Sequence, residues 1–256
     1  MIETTIDEGV MTLELNRPPM NAIDSDMARA LAEKLGDAAL ADCRVIIVTG
    51  ANGGFSAGSD VAELAELRGA SNGPGALLSA QSVAFERLAA QAIPTIAAVE
   101  GLAMGGGAEL VLCCDFIVAS ESARFSFPEV RLGVFPALGG TVRLPRRIGY
   151  DRALDLILTG REIDAETAMN WGLLSRRTAQ GEALDAARAL ARKLAMGPKA
   201  TLATIKNEMR AALHIPETEA TAQALKSAIA IGDSPEAAEG LRAFFAKKRP
   251  DFSNLP

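Results

Sequence analysis

Gly101-Leu-Ala-Met-Gly-Gly-Gly-Ala-Glu-Leu-Val-Leu-Cys-Cys114 sets three consecutive glycines ahead of one charged residue, Glu109, in a run otherwise uncharged and mostly apolar. A helix that is apolar all round is a buried helix, so Glu109 is expected to be buried with it. A lone buried carboxylate is costly unless it is paired, hydrogen-bonded or protonated, and such groups collect where a shifted pKa is useful. Glycines just upstream let a ligand approach the backbone, next to a helix start whose free N–H groups point outward. An acid beside preorganised donors is the outline of an enzyme site.

Working outward, Pro94-Thr-Ile-Ala-Ala-Val99 reads as a strand feeding the glycine turn, and Asp115-Phe-Ile-Val-Ala119 as the strand after the helix. Arg44-Val-Ile-Ile-Val-Thr49 is β-branched and apolar, the pattern of a strand buried on both faces. Val10 to Leu15 alternates loosely and reads as a strand ended by Asn16-Arg-Pro-Pro19; Ser25 to Leu40 and Leu77 to Gln91 have helical spacing. Gly50 to Ser59 is a glycine-rich loop running into a short helix, Asp60 to Leu67, and Gly69 to Gly75 is a second glycine-containing loop. This alternation predicts an α/β core with parallel strands, whose ligands bind at the strands' carboxyl ends. From Asp151 onward strand signals nearly vanish. Glu182 to Met196, Lys199 to Leu213, Glu217 to Ile231 and Pro235 to Lys248 read as helices, with Gly197-Pro198 as a stop and restart. We therefore expect a core over residues 1–195 and a helical region over 196–256, the latter serving packing or assembly.

The chain's 256 residues can bury a sizeable core, and its composition is that of a globular protein. A net charge of −6 argues against a nucleic-acid or anionic-membrane surface as the main partner. Met1 to Glu8 is acidic without an apolar core segment, and the longest apolar stretch, Leu88 to Val99, is too short to span a bilayer. Cys43, Cys113 and Cys114 show no metal spacing, so no metal is expected and a reducing cytoplasm is the default compartment. The single histidine, His214, excludes a two-histidine zinc site and reads as a cation at a helix end.

Phe55-Ser-Ala-Gly-Ser-Asp60 and Met104-Gly-Gly-Gly-Ala-Glu109 share one logic of glycine turn and helix start. If both face one pocket, their N–H groups could hold a developing oxyanion; glycines used only for tight packing are the alternative. A second acid, Glu129, follows Pro128 among apolar residues. It is either a salt-bridge partner of Arg124 or Arg131, or one of two carboxylates holding a water between them as base and acid. A different chemistry is offered by Gly54-Phe-Ser-Ala-Gly58, which matches G-x-S-x-G, with Asp151 or Asp185 preceding His214. Its context is poor, because Ser56 lies well beyond the strand ending at Thr49 and so is not at a sharp strand-to-helix elbow. A non-catalytic assembly or RNA-binding module is the remaining rival, disfavoured by the two acids and the acidic charge.

The order Asn16-Arg-Pro…Asn21-Ala22, Phe55 to Asp60, Ala98 to Glu109, Cys114-Asp115, Pro128-Glu-Val-Arg-Leu-Gly133, Gly139-Gly-Thr…Leu144, Leu158-Thr-Gly160, Ala168…Gly172-Leu-Leu and Glu239-Gly240…Phe244 resembles the crotonase superfamily along nearly the whole chain. The resemblance implies a spiral of ββα units with a C-terminal helical region used in trimer assembly, as a homotrimer or dimer of trimers. It implies an acyl-CoA thioester substrate, with coenzyme A as part of the substrate and no separate cofactor. Ser59 and Gly106 would supply the oxyanion-hole N–H groups. Glu109 and Glu129 match the hydratase pair, the first activating water and the second handling the proton at Cα, which favours hydration of a 2-trans-enoyl-CoA over Δ3-Δ2 isomerisation. Substrate contacts are implied at Met20, Ala22, Ala57, Asp60, Val61 and Gly105. Pro128, Leu132 and Gly133 follow on the Glu129 segment, and Lys247 is expected at the CoA 3′-phosphate. Three departures stand out: Ser59 replaces a frequent alanine, the Arg17-to-Asn21 turn is about one residue short, and the helix near Ala228 lacks an aromatic that some members lend to a neighbouring subunit.

Overall fold

Val45 to Gly50 occupies the middle of the larger sheet, and the two periods of its side chains explain the architecture. In a computed structural model describing residues 1–36, 40, 42–69, 71, 73–253 and 255, the chain begins with β1 (Ile2–Asp7), β2 (Val10–Leu15), α1 (Ser25–Lys34) and β3 (Val45–Gly50). It continues through α2 (Val61–Glu66), α3 (Gly75–Ala89), β4 (Thr95–Val99), β5 (Leu102–Met104) and α4 (Gly106–Leu112). Then come β6 (Phe116–Ser120), β7 (Arg124–Ser126), a 3-10 helix at Pro128–Leu132, α5 (Gly140–Ile148), α6 (Tyr150–Thr159), β8 (Glu162–Asp164), α7 (Ala165–Asn170) and β9 (Arg176–Thr178). The helices α8 (Ala183–Ala195), α9 (Lys199–Ala211), α10 (Glu217–Gly232) and α11 (Pro235–Phe245) complete it.

The larger sheet runs β1-β2-β3-β4-β6-β9, parallel except where β1 pairs antiparallel with β2. Because side chains alternate along a strand, Val45, Ile47, Ile96, Ala98 and Val118 face one way and meet Ala187, Leu190 and Ala191 of α8. Ile46, Val48, Ala97, Val99 and Ile117 face the other way, into the main core with α1, α3 and α4. Both faces are covered, which is why β3 and β4 hold the apolar runs Val45–Val48 and Ile96–Val99. A second sheet, β5-β7-β8, lies where the short connections after β4 and β6 meet.

The long elements match their sequence patterns, except β1; the three-residue strands β5, β7, β8 and β9 do not. β1 has no alternation of its own and exposes much of its length, so its pairing is set by β2. β7, β8 and β9 span three residues each, too few to show a period, so the expectation that strands nearly vanish after Asp151 misses β8 and β9. β5 separates β4 from α4, and Gly106 and Gly107 lie inside the first turn of α4, not ahead of it, with Gly105 as its N-cap. The helix expected over Ser25 to Leu40 is seen as far as Lys34; residues 37–39 lie outside the described residues, as do 70 and 72 of the Gly69–Gly75 loop.

Ion pairs and caps tie the terminal helices to the sheet. Arg44 donates to the Ala195 and Gly197 carbonyls, both at 2.6 Å. Glu236 of α11 accepts from the N–H groups of Ala200 and Thr201 at 2.8 and 2.9 Å, placing a buried negative charge on the N-terminus of α9. Asp115, between α4 and β6, accepts from Thr95 N at 2.8 Å and pairs with Lys206 and Arg210 of α9 at 2.5 and 3.1 Å. The Lys206 side chain is only 10% exposed, so removing Asp115 would leave a buried cation. Asp115→Ala should therefore cost on the order of 3 kcal/mol, read as a lower urea midpoint. Adding Lys206→Met should recover most of that loss; a double variant no more stable than the single would place the cost elsewhere.

Candidate active site

The loop after β3 is fastened from within. Asn21, fully buried and at φ 53°, donates its side-chain amide to the carbonyls of Ala51 and Gly54 at 2.9 and 3.0 Å and accepts from Arg17 N at 3.0 Å. Ser56 donates its hydroxyl to Asn21 O at 2.7 Å and accepts from Gly58 N at 3.1 Å. The hydroxyl of Ser56 is thus spent on the loop's own backbone, and His214 lines a different cavity. The serine-hydrolase constellation does not assemble.

This fastening brings the two glycine turns together. A Cβ on Gly58 (φ 93°) would stand 2.7 Å from Met104 O and 3.1 Å from Gly106 N; one on Gly106 would stand 3.2 Å from Ser59 N. Gly107 is a glycine because a Cβ there would meet Ser56 O at 2.6 Å. The backbone nitrogens of Ser59 and Gly106 are therefore near neighbours, and neither donates to a backbone carbonyl outside regular elements among the described residues. The Ser59 hydroxyl donates to Gln81 Oε1 at 2.9 Å, and the buried Gln81 amide donates to Ile23 O at 2.7 Å.

Both predicted acids reach the same cavity, of about 560 Å³, which Ser59 and Gly106 also line. Glu109 comes from the first turn of α4 and is 2% exposed. Its Oε1 accepts from Leu138 N and Gly140 N, both at 2.8 Å. Burial pushes its carboxyl up to about 7; the Gly140 N–H opposes the shift and the charge of Glu129 adds to it. Glu129 stands on the 3-10 helix with both carboxylate oxygens buried and without a hydrogen-bond partner, and burial raises its pKa too. The salt-bridge alternative fails, since Arg124 pairs with Glu162 and Arg131 donates to Gly160 O. Gly105 (φ 52°) leaves room for the acid, as its Cβ would lie 3.1 Å from Glu129 Oε1.

Of the other residues expected at the site, Ala57, Val61, Gly105, Pro128, Leu132 and Gly133 line this cavity. Met20 accepts at its carbonyl from Ala57 N at 2.9 Å and is half exposed, while Ala22 O accepts from Arg17 at 3.3 Å. Asp60 caps α2 and pairs with Arg17 at 2.6 Å; the Glu63 N–H it accepts, and then Arg17, hold its carboxyl below the usual range. Lys247 lies past the end of α11, exposed and off the cavity wall. Sequence reasoning missed Gln81, Leu138 and Arg143. Gln81 and Arg143 sit on helices at positions that look ordinary by period, and Leu138 acts through its backbone, so only their partners across the fold mark them. Among the described residues no group of three His, Cys, Asp or Glu could hold a metal ion, and no helix is long and apolar enough to cross a membrane.

The family profile described as enoyl-CoA hydratase/isomerase matches residues 5–254. The chain belongs to the enoyl-CoA hydratase/isomerase family. Among relatives, a probable enoyl-CoA hydratase of Mycobacterium bovis is 37% identical over 255 residues, covering 97% of this chain and 96% of that protein. A carnitinyl-CoA dehydratase of Salmonella paratyphi A is 37% identical over 259 residues, covering 97% of each. The crystal structure of an enoyl-CoA hydratase from Bacillus anthracis superposes with a TM-score of 0.93 at 31% identity, covering 98% of each chain. The α/β architecture with its C-terminal helices is thus the crotonase fold of this family.

Glu109 gives this member of the family a pH-dependent stability. An ordinary glutamate titrates near 4.5 and this one near 7, so between those values the folded state binds more protons than the unfolded. Stability must then fall as pH rises through that window. Glu109→Gln keeps an acceptor for Leu138 and Gly140 without the buried charge. It should melt several degrees above the wild type at pH 8, about 2–4 °C for each kcal/mol, and the gap should close towards pH 5. A gap that is constant from pH 5 to 8 would mean Glu109 does not titrate there.

Proposed function

We propose that this chain catalyses the hydration of a 2-trans-enoyl-CoA to a 3-hydroxyacyl-CoA. The observation that carries the reading is a pair of buried carboxylates, Glu109 and Glu129, on separate rigid segments of one cavity that also holds the Ser59 and Gly106 nitrogens. In this reading the two N–H groups receive the thioester carbonyl oxygen, drawing charge from the double bond; loss of one such donor costs on the order of 2.7–4 kcal/mol in other enzymes. Ionised Glu109, held by Leu138 and Gly140, accepts a proton from the water whose oxygen adds to C3. Glu129 in its neutral form delivers a proton to C2, and its unpartnered oxygens suit a group that must exchange a proton with substrate. Coenzyme A belongs to the substrate, and the mechanism invokes no cofactor.

Both acids should be required. Glu109→Gln and Glu129→Gln should each lower kcat for hydration by about 10²-fold or more while the protein stays folded, as for a lost general acid or base. A panel of enoyl-CoAs, from short straight-chain to branched and aromatic, followed by loss of conjugated-thioester absorbance, supplies the assay. Near-normal hydration by either variant would make that residue structural. Double-bond migration retained in only one variant would favour the Δ3-Δ2 isomerase.

Lys247 is proposed as the contact for the CoA 3′-phosphate, within the basic run Lys247-Lys-Arg249 that follows α11. Charge-assisted hydrogen bonds to phosphate are strong, and such a contact adds uniform binding. Lys247→Ala should raise KM with little change in kcat, and by less for a dephospho-CoA substrate. An equal effect with both substrates, or none with either, would remove Lys247 from the site. Assembly as a homotrimer or dimer of trimers is likewise proposed. Exposed Met209, Leu213, Leu225 and Ile229 on and just after α9 and on α10, with Phe244 and Phe245 of α11, support burial of this region against another copy.

A further inference from the structure

The segment Ala137–Gly140 is a thin wall. Its Ala137 and Leu138 line the cavity of the two acids, and Ala137, Leu138 and Gly139 also line a second, larger cavity of about 960 Å³ on the other side. Through this wall the two nitrogens that hold Glu109 are presented, so whatever fixes the wall fixes the acid. One residue does so from the second cavity. Arg143, in α5, donates Nη1 to Leu138 O at 2.9 Å, and its backbone N donates to Gly139 O at 2.7 Å. Leu138 O belongs to the peptide that joins the two units whose N–H groups, on Leu138 and Gly140, meet Glu109 Oε1, and Gly139 O belongs to the Gly140 unit itself.

The fit is specific to this side chain. Gly139 has φ 113°, a conformation L side chains rarely adopt, and a Cβ there would stand 1.9 Å from Arg143 Nη1. Gly139 is a glycine so that the guanidinium can lie against its backbone. The far end of the fork, Nη2, pairs with Glu86 of α3 at 2.6 Å, and the Arg143 side chain is 19% exposed. Glu86 sits on solvent and so screens Arg143 from outside, leaving the guanidinium's inner nitrogen to the wall.

We propose that Arg143 is a positioning residue for Glu109, holding the Leu138–Gly140 backbone donors on the carboxylate and keeping that acid ionised as a base. The proposal rests on the hydration reading for its kinetic consequence, but its electrostatic consequence stands without it. Two effects act in one direction. The guanidinium bond to Leu138 O fixes the peptide that joins the Leu138 and Gly140 units, and so keeps both N–H groups aimed at charged Glu109, which favours its ionised form. The guanidinium charge also favours the ionised carboxyl directly. The charged or titratable groups around this pair are Glu129 from the 3-10 helix, Glu86 from α3 and Cys113 at the C-cap of α4. Among the described residues, Arg143 is the cation that acts most on Glu109.

Arg143→Gln, Arg143→Lys and Glu86→Gln, each made with and without Glu109→Gln, provide the test. The melting temperature of each variant, minus that of its Glu109→Gln partner, followed from pH 5 to 9, reads the Glu109 pKa by linkage and needs no substrate. The acidic limb of kcat/KM reads it again if the chain hydrates enoyl-CoA. Arg143→Gln should move both readings up by about one pH unit and lower kcat at least tenfold at pH 7, with KM little changed. Arg143→Lys, which keeps the charge and loses the fork, should fall between that variant and the wild type. Glu86→Gln, which cuts the tether to α3 but leaves the cation, should place Glu109 at or below its wild-type value. An unchanged Glu109 pKa in Arg143→Gln, or an upward shift in Glu86→Gln equal to that in Arg143→Gln, would reduce Arg143 to a brace between helices. If Arg143→Gln does not fold, the Arg143→Lys linkage curve decides alone, and one superimposable on the wild type overturns the proposal. Failure of the wild type to hydrate any enoyl-CoA would instead remove the hydratase reading while leaving the linkage result intact.

Discussion

A carboxylate taken out of water governs the rest of this structure. Desolvating an ionised carboxyl costs several kcal/mol even after relaxation, while a hydrogen bond to a charged group returns about 1.5–3 kcal/mol. Glu109 has two such bonds, from Leu138 and Gly140, so the account nearly balances without closing, and its pKa stands near 7. That partial balance is useful chemistry. A fully satisfied carboxylate would be a weak base, and an unsatisfied one would stay protonated. Placing the two donors requires the wall after the 3-10 helix to turn tightly towards α4, and Gly140 permits this because a Cβ there would meet Glu109 Oε1 at 3.0 Å and Pro136 at 2.7 Å.

The second acid follows the opposite rule. Glu129 has no internal partner for either oxygen, although arginines stand at positions 124 and 131. Those cations are directed elsewhere by β8 and by Gly160, so Glu129 faces the cavity uncompensated. Two carboxyls with different surroundings, one held by backbone donors and one bare, are the condition under which environment separates their protonation states. The oxyanion side is built by a different economy, in which Asn21 and Ser56 bind the loop's carbonyls so that the Ser59 and Gly106 nitrogens are left over.

Legibility in the sequence tracked the number of residues that carried each signal. β3, β4 and β6 each hold four consecutive apolar residues, and α8 to α11 run for eleven to sixteen residues, so local pattern sufficed. β7, β8 and β9 exist only through pairing with strands distant in the chain, and a three-residue segment has no period to read. Glu109 was conspicuous as a lone charge in an apolar run. Glu129 was not decided by spacing, because two arginines lay within reach of it along the chain.

What the sequence by itself determined is the local chemistry: which runs are buried, where glycine must stand, and that an acid is carried into the core beside a helix start. These follow from hydrophobic period and backbone sterics, which act between near neighbours. What only the tertiary structure decided is which atoms meet across the fold. Leu138 and Gly140 reach Glu109 over about thirty residues, Gln81 reaches Ser59 over twenty-two, and Asp115 reaches α9 over about ninety. A hydrogen bond depends on distances of a few tenths of an ångström, and those are set by the packing of whole elements, not by any pattern along one of them.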